Sequence, residues 1–330
     1  MTIKDIADKL GISKSTVSRV LQNAWDVNPG TRQKVLDLIR KERYQPNTVA
    51  RNLKTQRTNT LGVIIPAFDI PFYSVAIGGI QEEAARQGFN IITCQSREDC
   101  EVETANIDTL LASRVDGLLI SLSRNTHSAL HLLELQKRRI PLVLFNRVGD
   151  LIGFSKVYVD DEQGAYTMVN YLLGKGYRRI AHMAGPLNLS LCINRRRGYE
   201  RALLEAGIDP NPELLAEGDF TIEGGVRCAD QLLRRAVVPD AIFCVCDAMA
   251  IGCIQSLKHN GIRIPADIAV AGYTNDAVSA FTDPPLTTIA QPIYRIGAEA
   301  AALLIEKIRK PDSLQRDIVL DTELIVRKSA

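Results

Sequence analysis

From residue 60 onward, short apolar runs alternate with amphipathic helical stretches, and this alternation constrains the fold more than any other feature. The runs LGVIIP (61–66), FNIITCQ (89–95), DGLLISL (116–122), IPLVLFN (140–146), VYVD (157–160), RIAHMAG (179–185), LLAEGDF (214–220), DAIFCVC (240–246) and IAVAGY (268–273) read as strands. Between and after them, helices are expected over 73–87, 101–113, 128–137, 162–175, 195–206, 222–235, 248–260 and 294–310, and the ending DIVLDTELIVRKS reads as extended. Continuously apolar strands separated by helices belong to parallel sheets covered on both faces. About ten strands exceed one comfortable sheet, so two doubly wound lobes are expected. Such lobes bind ligands beyond the carboxyl ends of their strands, and a cleft between two of them suits a small molecule.

The preceding stretch is different. TIKDIADKLGISKSTVSRVLQN (2–23) reads as two short helices joined by a tight turn at Gly11. Ile6, Ala7 and Leu10 share one face of the first helix, and Val17, Val20 and Leu21 one face of the second, which Ser13 can cap. The opposite side of the second helix presents Lys14, Ser15, Thr16, Ser18 and Arg19, groups suited to phosphates and base edges. This is either a helix-turn-helix or an ordinary helical hairpin with a solvated face. A third helix is expected over 29–42, and Trp25, the single tryptophan, is expected to close one end of the small core. Pro46 halts that helix, and Asn47 can cap a short one that carries Ala50 and Leu53 among Arg51, Lys54 and Arg57. That segment reads as a flexible basic linker, or as a hinge that orders on DNA with Leu53 as a minor-groove wedge.

Charge separates the two parts. Residues 1–57 hold 12 Lys/Arg and 5 Asp/Glu, whereas the remaining chain holds 28 and 33. A basic head on a mildly acidic body points to a polyanion at the head alone. The start MTIKDIADKL lacks an apolar signal region, and no apolar run has transmembrane length, so a cytoplasmic protein without a membrane partner is expected. Seven cysteines without a C-x-x-C pair are read as reduced thiols. His127, His131 and Glu134, at i, i+4 and i+7, have a spacing that can hold a metal but are read as a solvated helix face; no metal and no cofactor are expected.

Taken in order, these motifs resemble the LacI/GalR family of bacterial transcriptional regulators. TIKDIADKLGISKSTVSRVLQN is similar to that family's head and YQPNTVARNLKT to its hinge. LGVIIP, PFYSVAIGGI, VDGLLIS, VDDEQGAY, GPLNLSLCINRRRGY, GDFTIEGG, CDAMAIG, AGYTND, PLTTIAQP and LIVRKS follow in the family's order. The resemblance implies a helix-turn-helix head (1–46), a hinge (47–57) and a body (58–330) like type I periplasmic binding proteins. The body's lobes would be discontinuous: about 58–158 with 290–319, and about 159–289 with 320–330. It implies a homodimer on a pseudo-palindromic operator, repressing transcription under allosteric control by a small-molecule effector, by default a sugar or sugar derivative. No apolar heptad follows LIVRKS, so a dimer rather than a tetramer is expected.

By the same resemblance Lys14, Ser15 and Arg19 would read bases, Thr16 and Ser18 hold phosphates, Leu53 wedge the minor groove, and Ala50 lie where paired hinge helices cross. Asn47 is counted with these DNA-binding residues. Effector contacts would come from Phe72, Tyr73, Arg195, Phe220, Cys246 and Thr274. Two of these depart from the family pattern, since Thr274 replaces a common Asp and Cys246 a common Asn. With Leu189 and Leu191 nearby, the pocket is expected to be more apolar than a sugar specialist's. Asn146, Asp160 and Asp161 lie near strand ends, and the two aspartates are read as caps of the next helix. A small-molecule-binding protein without a DNA role is the alternative, but it leaves the basic head unexplained. An enzyme of doubly wound fold lacks support, because G-x-G-x-x-G after the first strand, P-loop and G-x-S-x-G motifs are all missing.

Overall fold

The computed structural model describes residues 2–21, 24–42, 57–126, 130–149, 151 and 153–330. It divides into two units, 1–58 and 59–330.

The described residues of the first unit form a head of three helices. Helix α1 (Ile3–Leu10) starts in a capping box: Thr2 Oγ1 accepts the Asp5 N–H at 3.3 Å, and Asp5 Oδ2 accepts the Thr2 N–H at 2.7 Å. Gly11, at φ +63°, ends it, with its N–H turned back to the Ala7 and Asp8 carbonyls. Helix α2 (Lys14–Leu21) is capped by Ser13, whose Oγ accepts the Thr16 N–H at 3.1 Å. The Asn28 side chain caps α3 (Pro29–Lys41). Ile6, Ala7, Val17, Val20, Val27 and Val35 form the core. Trp25 does not belong to it. The indole is 94% exposed, because small valines from α2, α3 and the loop between them already fill the interior.

The second unit contains two six-stranded sheets. In the first, the order is β11 (Asp317–Leu320), β5 (Ser155–Val159), β4 (Leu142–Phe145), β3 (Gly117–Ile120), β1 (Thr60–Ile65) and β2 (Asn90–Gln95), and every pair is parallel. In the second, β12 (Glu323–Ile325), β10 (Thr287–Ala290), β9 (Ala269–Thr274), β8 (Ala241–Cys244), β6 (Ile180–Ala184) and β7 (Leu215–Glu217) are parallel except for antiparallel β12. The chain passes between sheets after β5, after β10 and after β11. Strand β10 was illegible as a strand because Thr287 and Thr288 interrupt its apolar pattern. Both are fully buried, and their hydroxyls are used: Thr288 donates to Asp247 at 2.6 Å, and Thr287 accepts the Arg327 N–H at 3.0 Å.

Apolar clusters lie on both faces of each sheet. The covering helices are α4 (Pro71–Arg86), α5 (Cys100–Ala112), α6 (Leu130–Lys137) and α11 (Ile293–Arg309) for the first lobe. For the second they are α7 (Asp161–Gly174), α8 (Ser190–Glu205), α9 (Ile222–Leu233) and α10 (Asp247–His259). Helices α4 and α11 touch through glycine: a Cβ on Gly297 would stand 2.0 Å from the Ala76 carbonyl oxygen, and one on Gly79 2.1 Å from that of Tyr294. None of the described helices is long and apolar enough to cross a membrane.

Candidate functional site

The carboxyl ends of strands from both sheets meet around a cavity of about 430 Å³. Phe72 and Tyr73, at the start of α4, and Asn146 and Arg147, after β4, form one wall. Leu191 and Arg195 on α8, Phe220 after β7, Cys246 before α10, Thr274 at the end of β9 and Asp276 just beyond it form the other. Gln291 lies on the crossing between β10 and α11. All six residues expected to meet an effector therefore line one cavity. Phe220 reaches it because the chain turns sharply there, at φ +68°. That turn is also why the expected strand over 214–220 stops at Glu217.

Arg195 is 4% exposed and already engaged. Its Nε and Nη2 lie 2.8 and 2.7 Å from Asp161 Oδ1, Nη1 donates to the Val245 carbonyl at 2.6 Å, and the guanidinium stacks 3.7 Å over the Tyr273 ring. Burial holds the Asp161 carboxyl above its ordinary value, and Arg195 opposes that shift. Of the two aspartates read as caps, only Asp160 is one, with its Oδ1 accepting the Gln163 N–H at 2.9 Å. Asp161 is corrected to an ion-pair partner. Its position at the first turn of α7 faces the guanidinium, and a buried arginine requires a counter-charge. Tyr73 is also committed within its own lobe: its hydroxyl shares a hydrogen bond with Ser121 Oγ at 2.9 Å and accepts from Asn146 Nδ2 at 3.3 Å.

Arg147, Gln291 and Asp276 are among the lining residues not picked out from the sequence. Arg147 holds both oxygens of Glu98, at 2.9 and 2.7 Å, and its guanidinium lies 5.6 Å from the ring centroid of Phe220 in the other lobe. Its place directly after Asn146 at a strand end was the available signal. Gln291 is 9% exposed, and its Oε1 has no hydrogen-bond partner among the described residues. Burial, with the nearby Asp247 charge, pushes the Asp276 carboxyl up to about 6. Asp247 is scaffold: fully buried, it accepts from the Asp276 N–H at 2.8 Å, from Ser279 Oγ at 2.6 Å and from Thr288 Oγ1 at 2.6 Å, and so ties together the ends of three strands.

In the head, Lys14, Ser15 and Arg19 are exposed on α2, and Thr16 and Ser18 partly so. Val17 and Val20 anchor the opposite side of the helix in the core. The hydroxyls of Ser15 and Thr16 both bond to Ser13 Oγ, at 2.7 and 2.8 Å, which fixes the first turn of the helix. Arg19 pairs with Asp26. Asn47, Ala50 and Leu53 lie outside the described residues.

A helix-turn-helix head with its cationic face open, and a two-lobed body closed around a cavity at its strand ends, define a ligand-responsive DNA-binding regulator. Comparison with known proteins agrees along the whole length. Residues 2–47 match the model of bacterial regulatory proteins of the lacI family, and residues 58–328 that of the periplasmic binding proteins and sugar binding domain of the LacI family. The HTH-type transcriptional repressor CytR of Escherichia coli (strain K12) is 37% identical over 328 residues, covering 99% of this chain and 96% of that protein. The repressor PurR of Pasteurella multocida (strain Pm70) is 34% identical, with coverage of 99% and 98%. Among solved structures, the lac repressor dimer bound to operator and the anti-inducer ONPF superposes with a TM-score of 0.90 at 28% identity, covering 100% of this chain and 98% of that one. The chain belongs to the LacI family and is a DNA-binding transcriptional regulator with a small-molecule receptor as its body.

Proposed function

We propose that this protein is a homodimeric repressor that reads a pseudo-palindromic operator with α2 of each head and releases or grips it according to a neutral small molecule held between the lobes. The head comprises residues 1–46, the hinge 47–57 and the body 58–330. Lys14, Ser15 and Arg19 meet base edges, Thr16 and Ser18 meet phosphates, and Asn47, Ala50 and Leu53 order with the hinge. The protein acts in the bacterial cytoplasm, and its cavity binds without turning the ligand over.

The observation that carries the ligand's chemistry is the pairing of both cleft arginines. Arg195 is neutralised by Asp161 and Arg147 by Glu98, so neither offers an uncompensated positive charge to a phosphate or carboxylate. Gln291 Oε1, buried and unpartnered, calls for a donor on the ligand. Phe72, Leu191, Phe220, Ile222, Ile251 and Val278 supply apolar surface that suits a flat ring face. The fitting ligand is an uncharged ring compound with hydroxyl or amino donors, a class that includes both sugars and nucleosides. The solved complex of the transcriptional regulator CelR with cellobiose, 31% identical to this chain, is compatible with the sugar member of it.

The test has two stages. Duplexes selected from a random pool by the full-length protein define an operator, whose affinity should fall steeply with salt. Neutral sugars, nucleosides, sugar phosphates and sugar acids are then compared for their effect on operator affinity and melting temperature. Neutral members should act; a response confined to anionic members would overturn the assignment of ligand class, and failure to select any duplex would overturn the DNA role.

A further inference from the structure

We propose that Cys100, Glu103 and His131 form a binding site for one Zn²⁺ ion in the first lobe, separate from the effector cavity. Cys100 and Glu103 are one turn apart on α5, at i and i+3, and so share a face. His131 comes from α6, across the loop that leaves β3. The thiol sulfur, a carboxylate oxygen and a ring nitrogen all lie within 4.8 Å of one another. Sulfur, nitrogen and oxygen in one set is donor chemistry for a borderline-soft divalent cation. Calcium and magnesium take oxygen ligands. Small side-chain rotations bring three such donors to bonding distance and leave a fourth tetrahedral position for water.

The surroundings resemble a supported ligand set. Glu103 is fully buried, and among the described residues the basic group within ion-pair distance of it is His131, 2.9 Å away. Its Oε2 is held by the Ser123 N–H at 2.7 Å and by Ser123 Oγ at 2.6 Å, contacts that orient a ligating carboxylate from behind. Its Oε1 accepts from Thr126 Oγ1 at 3.2 Å and lies against His131 Nε2; this is the oxygen that can turn to the metal. Metal binding releases the Cys100 thiol proton to solvent, and the proton that His131 Nε2 shares with Glu103 passes through solvent to Nδ1 of a neutral ring, or leaves to solvent from an imidazolium, so that Nε2 and the carboxylate each bond the metal. The reading of His131 on a solvated helix face is thereby corrected: its side chain is 12% exposed, turned toward α5 because a buried carboxylate awaits it there. Glu134 stays at the surface, 58% exposed, and His127 lies outside the described residues.

The ion would clamp α5 to α6 and steady the loop over residues 121–126. In that loop the Arg124 N–H donates to Glu98, the partner of Arg147, and the Arg124 carbonyl accepts from Asn188 of the second lobe at 2.9 Å. Metal occupancy therefore adjoins the contacts that join the lobes.

The test uses full-length protein, freed of metal, titrated with Zn²⁺ against a competing chelator and with Co²⁺ followed by absorption. One ion per chain is expected, with a thiolate-to-cobalt charge-transfer band. Cys100→Ser should abolish that band. Cys100→Ser and His131→Gln should each weaken Zn²⁺ binding by more than about 100-fold, beyond the loss expected from an outer-shell partner. Cys94→Ser, which removes another partly exposed thiol, should leave both unchanged. Circular dichroism and operator binding of the metal-free variants confirm that they are folded. Wild-type protein with no cobalt–thiolate band, or a folded Cys100→Ser variant that binds Zn²⁺ as tightly as wild type, would overturn the site.

Discussion

The two cleft arginines are alike in burial and different in how they are held. Arg195 is sealed inside the second lobe, and its partner Asp161 is only 8% exposed at the side chain. Arg147 is equally covered, yet its partner Glu98 keeps 23% exposure, and its ring contact, Phe220, belongs to the opposite lobe. One arginine is therefore a fixture of a single lobe, and the other spans a joint. A ligand that alters the lobe geometry must disturb the second far more than the first, because only it has contacts on both sides.

Mutating each tests this contrast, and the largest effect belongs to Arg195. Arg195→Met leaves Asp161 buried without its counter-charge, and a loss of about 3–5 kcal/mol in urea unfolding is expected. Arg195→Met with Asp161→Asn should recover a large part of it, since the stranded charge is gone. A single variant as stable as wild type would mean that Arg195 is not the fixture described.

The second lobe also buries a histidine. His182 is fully enclosed, stacked between Tyr199 and Phe243, with Nδ1 3.0 Å from the Phe243 carbonyl oxygen. Burial depresses it from 6.5 to about 4. The unfolded chain thus binds the proton more readily, so stability is complete above pH 6.5 and is lost as pH falls toward 4, by roughly 3 kcal/mol at most. Asp276 acts oppositely. Its value of about 6 exceeds the ordinary 3.8, so its contribution is present below 3.8 and is lost as pH rises through 6. Comparing wild type with His182→Asn across pH 4–7 isolates the histidine. Hydrogen exchange at pH 5 should loosen the second lobe before the first, and the reverse order would place the acid-sensitive group elsewhere.

Arg147→Met should cost less stability than Arg195→Met, about 1–2 kcal/mol, because water can reach the Glu98 carboxylate it abandons. Its larger consequence should be on coupling. Effector should still bind, but the change it produces in operator affinity should shrink several-fold. Unchanged coupling in this variant would remove Arg147 from the joint between lobes.

Much of this architecture was legible because burial on both faces leaves strands uniformly apolar, as in LGVIIP and DAIFCVC. The places where reading failed share a cause: a polar residue whose partner is distant in sequence. Thr287 and Thr288 conceal β10 because their hydroxyls serve Arg327 and Asp247. Asp161 passes for a cap because Arg195 is 34 residues away. His131 looks solvated on α6 until Glu103, 28 residues earlier, is placed against it. Trp25 fails for the opposite reason, since apolarity alone does not reveal that a core is already full. The cavity's residues were found by their place in family motifs, which located Phe72, Tyr73, Arg195, Phe220, Cys246 and Thr274 but not Arg147, Asp276 or Gln291.

With both arginines paired, Asp276 is the lining carboxyl held up to about 6, so its charge changes between pH 5 and 7.5, and the smallest predicted effect follows from it. Its ionised form accepts donors more strongly than its protonated form, since charge-assisted hydrogen bonds are about twice as strong as neutral ones. A neutral ligand with a hydroxyl or amino donor directed at Asp276 should therefore bind better at pH 7.5 than at pH 5, by about 5-fold for a difference near 1 kcal/mol. Asp276→Asn should flatten that dependence, with an affinity near the low-pH value throughout, when binding is followed by calorimetry over the same range. A pH dependence that persists undiminished in the variant would show that the titrating group lies elsewhere.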